Sequence, residues 1–158
     1  MSLREDGVVL PDGRSVRREV VEHADVAVMV PIDADGNVIL LRQYRLPAGE
    51  TLLEIPAGGV DEGETVEEAA QRELREETGY RAGRLERLAG FYASPGCCTE
   101  FMHLYLATEL VEDPVEGDAD EAIEAKRMPL VEAIRLVEAG EIKDAESIVG
   151  LLLTAWGR

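Results

Sequence analysis

Residues 58–80, GGVDEGETVEEAAQRELREETGY, constrain this chain more than any other stretch. They hold eight carboxylates in twenty-three positions: Asp61, Glu62, Glu64, Glu67, Glu68, Glu73, Glu76 and Glu77. Thr65 followed by Glu68 has the spacing of a capping box, and Gly79 stands where a left-handed residue ends a helix, so the segment predicts a helix over 66–78. At about 100° per residue, Glu77 lies about 40° to one side of Glu73 and Glu76 about 60° to the other. Val66, Ala69, Ala70 and Leu74 share that arc, while Glu68, Gln71, Arg75 and Thr78 fall on the opposite one. Three carboxylates therefore sit on the face that small apolar residues press against the rest of the chain.

The ordinary reading of an acidic helix is a solvated face laced with i,i+4 pairs, and Glu62, Glu67 and Glu68 take that reading. It does not suit Glu73, Glu76 and Glu77. Like charges four residues apart repel, and half-buried unpaired carboxylates cost several kcal/mol. Oxygen donors on one arc instead suit a hard divalent ion such as Mg²⁺, with Mn²⁺ as a substitute. Arg72 is placed to hold a neighbouring carboxylate, and the glycine-rich PAGGVDEGE lets backbone approach an ion or phosphate closely.

Composition narrows the partners. With 33 acids against 16 bases the net charge is −17, which repels nucleic acid and anionic membranes. A hydrophobic fraction of 46% excludes a disordered acidic polymer, and 158 residues suit one domain, read as 1–158. Two adjacent cysteines, Cys97 and Cys98, give no disulfide framework; with neither a signal-peptide core nor a membrane span, the expectation is a soluble cytoplasmic protein.

Strands are expected at 15–23, 25–33 and 38–45, the last two flanking a DADGN hairpin turn, and a short apolar LLEIP precedes the acidic segment. RLERLAGFYAS and FMHLYLATEL form two more strands around PGCCTE. A short strand near IEAKRMP follows an acidic loop, and two helices close the chain, one stopped by Gly140 and one after Asp144. This irregular mixture predicts an α+β fold, a mixed sheet covered by helices.

Gly58, five residues, Glu64, seven residues, then Arg72-Glu73-Leu74-Arg75-Glu76-Glu77-Thr78-Gly79-Tyr80 resembles the Nudix box, departing only in Tyr80, where the pattern prefers an aliphatic residue. The resemblance implies a Nudix-type α/β/α sandwich that hydrolyses a nucleoside diphosphate linked to another moiety. By the same resemblance Glu73 and Glu77 are principal Mg²⁺ ligands, Glu76 shares or bridges, the Ala57 carbonyl adds a contact, Arg72 orients a carboxylate and Glu64 braces the loop. Outside the box, VVEHADVAVMV, LLRQYRLPAGETLLEIPAGG, FYASPGCCTEFMHLYLA and EAGEIKDAESIVGLLL resemble ADP-ribose pyrophosphatases, and Pro95, sixteen positions after Gly79, matches that subfamily's marker.

That likeness assigns further roles. Arg45 contacts a phosphate or the terminal ribose, in keeping with a bidentate guanidinium clamp. Arg17 meets substrate from an N-terminal strand, within about 8–23, that in relatives reaches into a partner's site, so a homodimer is expected. Glu54 contacts adenine or ribose, and Pro95 and Gly96 line the substrate site. Two or three Mg²⁺ ions screen the diphosphate and lower the pKa of bound water. The general base is open among Glu73, Glu121 and Glu100, in that order, with Glu121 also a metal ligand. His23 and His103 read as packing residues. The expected reaction converts ADP-ribose to AMP and ribose 5-phosphate; the alternatives are another nucleoside diphosphate sugar, such as GDP-mannose, and a non-catalytic ADP-ribose-binding module.

Overall fold

The computed structural model describes residues 1–115 and 122–157. A hairpin of β1 (Ser2–Val9) and β2 (Ser15–Glu22) opens the chain. β3 (Val26–Pro31), β4 (Asn37–Arg45), β5 (Glu50–Glu54) and β6 (Ala57–Gly59) follow, then helix α1 (Val66–Thr78). β7 (Tyr80–Tyr92), β8 (Phe101–Glu112), β9 (Glu124–Pro129), α2 (Leu130–Glu138) and α3 (Ala145–Ala155) complete it. One sheet runs β6-β3-β8-β7, with β3 parallel to β8 and its other pairs antiparallel; a second runs β5-β4-β9. The mixed α+β architecture expected from the sequence is thus present.

The alternation of β3 separates the layers. Ala27 and Met29 face α1, where Ala69, Ala70 and Leu74 are fully buried with Ala82 and Ala107. Val26, Val28 and Val30 face the other way, into a core shared with Val38 and Leu40 of β4, Met128 of β9, Ala133 of α2 and Leu151 of α3. Gly150 lets α3 come close: a Cβ there would lie 2.8 Å from Ile55 Cδ1 and 2.9 Å from Val30 Cγ2.

Local chemistry sets α1 as expected. Thr65 Oγ1 accepts the Glu68 N–H at 3.3 Å, Glu68 Oε2 accepts the Thr65 N–H at 2.8 Å, and Gly79 ends the helix at φ 79°. Four expectations are corrected. β3 and β4 are not one hairpin: the turn forms, with Asp33 N–H donating to Asn37 O, but only the Ile32–Val38 bridge joins strands that belong to different sheets. β7 starts at Tyr80, directly off Gly79, rather than at Arg84. Residues 57–59, expected as loop, pair with β3 because three small residues fit its edge. β1 was not expected, since Arg4, Glu5 and Asp6 mask its pattern; Pro11-Asp12-Gly13 between Val8-Val9 and Val16 is the turn signal that marks it.

Candidate active site

Arg72 organises the acid-rich face of α1. Its Nε and Nη2 donate to the two oxygens of Glu64 at 3.0 and 2.9 Å. Nη2 also reaches the Gly59 carbonyl at 2.9 Å, which fixes α1 to β6. Nη1 donates to Glu73 at 2.6 Å and, more distantly, to Glu76 at 3.4 Å. The hydrogen bonds from Arg72 hold the Glu64 carboxyl below its ordinary range, and the same contacts raise the Arg72 guanidinium further. Glu77 turns the other way and accepts the Ala57 N–H at 3.1 Å. The box helix and the rim strand β6 are therefore one polar unit.

Gly58 leaves room for the Glu73 carboxylate. A Cβ there would fall within the carboxylate of Glu73, so glycine leaves the cradle in which that group sits. Among the described residues no group of three or more His, Cys, Asp or Glu stands arranged around one ion position. The donor set nevertheless fits a hard divalent cation, being carboxylates of Glu73, Glu76 and Glu77 beside the half-buried backbone of Ala57 and Gly58. Glu73 and Glu76 now share Arg72, so ligation would exchange a guanidinium for a metal.

Above β6 opens a cleft of about 390 Å³, walled by His23, Arg45, Glu54, Gly58, Glu100 and Glu146 among others. Arg45 Nε donates to Glu54 at 2.8 Å, and Glu54 is only 5% exposed. Burial pushes the Glu54 carboxyl up; Arg45 opposes that shift and Asp144 adds to it. Burial likewise raises Glu146, with Asp144, Glu54 and Glu100 adding to the rise. Among the described lining residues Arg45 is the permanent cation, so it is the group that meets an anionic ligand. His23 Nδ1 lies 2.8 Å from Ala24 O and 3.4 Å from Glu100 Oε1; two acceptors facing one nitrogen require that it carry the proton.

A second cleft of about 360 Å³ lies beside it, lined by Val20, Tyr92, Pro95, Gly96, Cys97, Cys98 and Thr99. The two have no lining residue in common, but Thr99 Oγ1 of the second accepts the His23 N–H of the first at 2.9 Å and donates to His23 O at 3.1 Å. β2 is tied to the 97–99 segment by Val21 N–H to Cys97 O at 2.7 Å and Thr99 N–H to Val21 O at 3.0 Å. Thr99 borders one cleft and the adjoining Glu100 the other.

Of the residues expected from the sequence, Arg45, Glu54, Ala57 and Glu100 meet in the first cleft, and Pro95 and Gly96 line the second. Glu73, Glu76, Glu77 and Arg72 lie beneath the rim. Arg17 does not join them: it is exposed on β2 and pairs with Glu5 at 3.1 Å. Glu121 lies outside the described residues. Two readings change. Gln71 and Arg75, assigned to the far side of the helix, are half-buried: Gln71 exchanges hydrogen bonds with the Ala82 backbone, and Arg75 pairs with Asp113. Glu67 is exposed, as assigned, and also accepts from Tyr105 Oη at 3.0 Å. His23, read as packing, borders the cleft, as does Glu146; long-range folding brings both there, and only a fold-level template would have signalled them.

Residues 21–149 match the NUDIX domain. This chain is a member of the Nudix family. It is 40% identical to the ADP-ribose pyrophosphatase of Bacillus subtilis over 90% of this chain and 78% of that protein. It is 35% identical to the GDP-mannose pyrophosphatase of Yersinia enterocolitica over 87% of this chain and 78% of that one. The solved structure of an ADP compounds hydrolase superposes with a TM-score of 0.87 at 29% identity, covering 98% of this chain and 84% of the other. The chain is thus a Nudix hydrolase with a Nudix fold, and its Gly58–Tyr80 box sits where the geometry shows a rim of carboxylates.

Proposed function

We propose that this Nudix hydrolase cleaves the diphosphate of ADP-ribose, giving AMP and ribose 5-phosphate. The observation that carries the reading is the joining of the box carboxylates, through Ala57 and Gly58, to a cleft whose permanent cation is Arg45. Glu73, Glu76, Glu77 and the Ala57 carbonyl would hold two or three Mg²⁺ ions, or Mn²⁺, joined by Glu121 from the segment outside the described residues. Bound divalent ions supply charge neutralisation at the phosphates and a more acidic water. The chain's own groups do the rest. Arg72 orients Glu73, Arg45 clamps a phosphate, Glu54 accepts from adenine or ribose, and Pro95 and Gly96 border the sugar end. Glu73, Glu121 and Glu100 are the candidates to take the water's proton.

The active species in this reading is a cytoplasmic homodimer. The β1–β2 hairpin carries exposed Leu3 and Val9, 72% and 70% accessible, and a two-stranded ribbon is marginal alone in water. A second copy covering it would also give Arg17 a site to reach. Light scattering of the full chain is expected to report a dimer that Leu3→Asp with Val9→Asp converts to monomer; a monomeric unsubstituted chain would remove this part of the proposal.

Chromatography of the products from ADP-ribose and Mg²⁺ tests the substrate. AMP and ribose 5-phosphate in equal amounts are expected. Faster release of GMP from GDP-mannose would keep the chemistry and change the base. Binding of ADP-ribose with no product would replace the enzyme by a sensor.

A further inference from the structure

His23 stands in the wall of the first cleft with one ring nitrogen committed and the other free. Its backbone is anchored on both sides by one hydroxyl, that of Thr99, which accepts the His23 N–H and donates to the His23 carbonyl. Nδ1 carries the proton and is directed at Ala24 O at 2.8 Å, with Glu100 Oε1 3.4 Å away. A proton on Nδ1 makes Nε2 of the neutral ring an acceptor. Among the described residues Nε2 has no hydrogen-bond partner, and the side chain is 27% exposed. The other strong acceptors among the described lining side chains are the carboxylates of Glu54, Glu100 and Glu146, whose charge repels a diphosphate. Nε2 accepts without charge. A hydroxyl carried beside a phosphate therefore finds a partner there that does not push the phosphate away.

We infer that His23 is a substrate-binding residue whose Nε2 accepts a hydrogen bond from a ribose hydroxyl of the nucleoside diphosphate sugar. Thr99, Ala24 O and Glu100 are its positioning groups: they fix the backbone, the tautomer and the direction of the ring before ligand arrives. This rests on the proposal that such a ligand occupies the cleft beside Arg45.

The test compares the full-length wild type with His23→Phe, His23→Gln and His23→Asn, each checked for folding by a thermal melt. A glutamine amide reaches the place of Nε2, whereas an asparagine amide reaches only that of Nδ1. Steady-state kinetics are read on whichever nucleoside diphosphate sugar the wild type hydrolyses fastest, and on analogues of it that each lack one ribose hydroxyl. A wrong base in the substrate reading thus leaves the test intact. His23→Phe is expected to lose about tenfold in kcat/KM, mostly through KM, with His23→Asn close to it and His23→Gln within about threefold of wild type. One deoxy analogue should cost the wild type about tenfold and His23→Phe less than about twofold, which couples that hydroxyl to the ring. Full activity of His23→Asn with loss in His23→Gln would overturn the proposal, because the ring would then serve only through Nδ1. So would deoxy analogues that each cost wild type and His23→Phe the same factor. If the wild type hydrolyses no nucleoside diphosphate sugar, the hydrolytic reading falls by itself, and the same pairs are read by calorimetry of ADP-ribose binding. Coupling there supports the role of His23, and its absence, or no binding at all, overturns it.

Discussion

Replacing Arg72 by methionine removes a guanidinium that now serves Glu64, Glu73, Glu76 and the Gly59 carbonyl at once. The side chains of Glu64 and Glu73 are 16% and 15% exposed, so each would lose its counter-charge in a place where water compensates poorly. Breaking a fully buried pair costs about 3–5 kcal/mol. Arg72 itself is 30% exposed, and solvent screening brings the expected loss to about 2–3 kcal/mol. In a domain of this size that is a fall in Tm of about 5–10 °C. The sign with pH follows from Glu64, whose folded-state pKa is depressed from the ordinary 4.5. Its stabilisation is complete above that value and is lost as pH falls through the lower folded-state pKa. Calorimetry from pH 7 downward should therefore show the full gap between wild type and Arg72→Met at neutral pH, closing below about pH 4.5. A double-mutant cycle with Glu64→Gln should show non-additivity of about 1 kcal/mol or more. A gap under about 2 °C at pH 7, or one that stays constant in acid, would refute the role given to Arg72.

Three further outcomes follow from single contacts. Gly58→Ala places a methyl group within the Glu73 carboxylate and should lower kcat/KM at least about tenfold, read by steady-state kinetics beside a thermal melt that confirms folding. Tyr105, raised to about 12 by burial and its bond to Glu67, stabilises the fold fully below pH 10 and loses that contribution as pH rises through 12. Tyr105→Phe should thus cost about 0.5–1.5 kcal/mol at pH 7 and melt with a weaker alkaline dependence than wild type. Gly150→Ala should destabilise by about 1–3 kcal/mol in urea, because Ile55 and Val30 leave no room for the methyl.

The box was legible because its determinants are local. Thr65, Glu68 and Gly79 mark the ends of α1, and the angular positions of Glu73, Glu76 and Glu77 follow from helix geometry alone. What the sequence hid is long-range. Gln71 reads as solvent-facing on a helical wheel, but β7 leaves Gly79 at once and lays the Ala82 backbone across it. Glu67 finds Tyr105 thirty-eight residues away, a pairing no periodicity announces. His23 and Glu146 come to one cleft from the end of β2 and the first turn of α3. Arg17 shows the reverse: its subfamily likeness predicts a substrate contact, and within one chain it faces solvent beside Glu5.

In the proposed function, the box carboxylates beside β6 drive cleavage of the diphosphate of ADP-ribose. The most direct measurement compares wild type with Glu77→Gln for Mg²⁺-dependent turnover across a panel of nucleoside diphosphate sugars. ADP-ribose is expected to be the best substrate, turnover to require the added ion, and Glu77→Gln to lose at least about a hundredfold in kcat/KM while remaining folded, roughly 2.7 kcal/mol of transition-state stabilisation. Unchanged turnover in folded Glu77→Gln, or wild-type turnover indifferent to Mg²⁺, would contradict it.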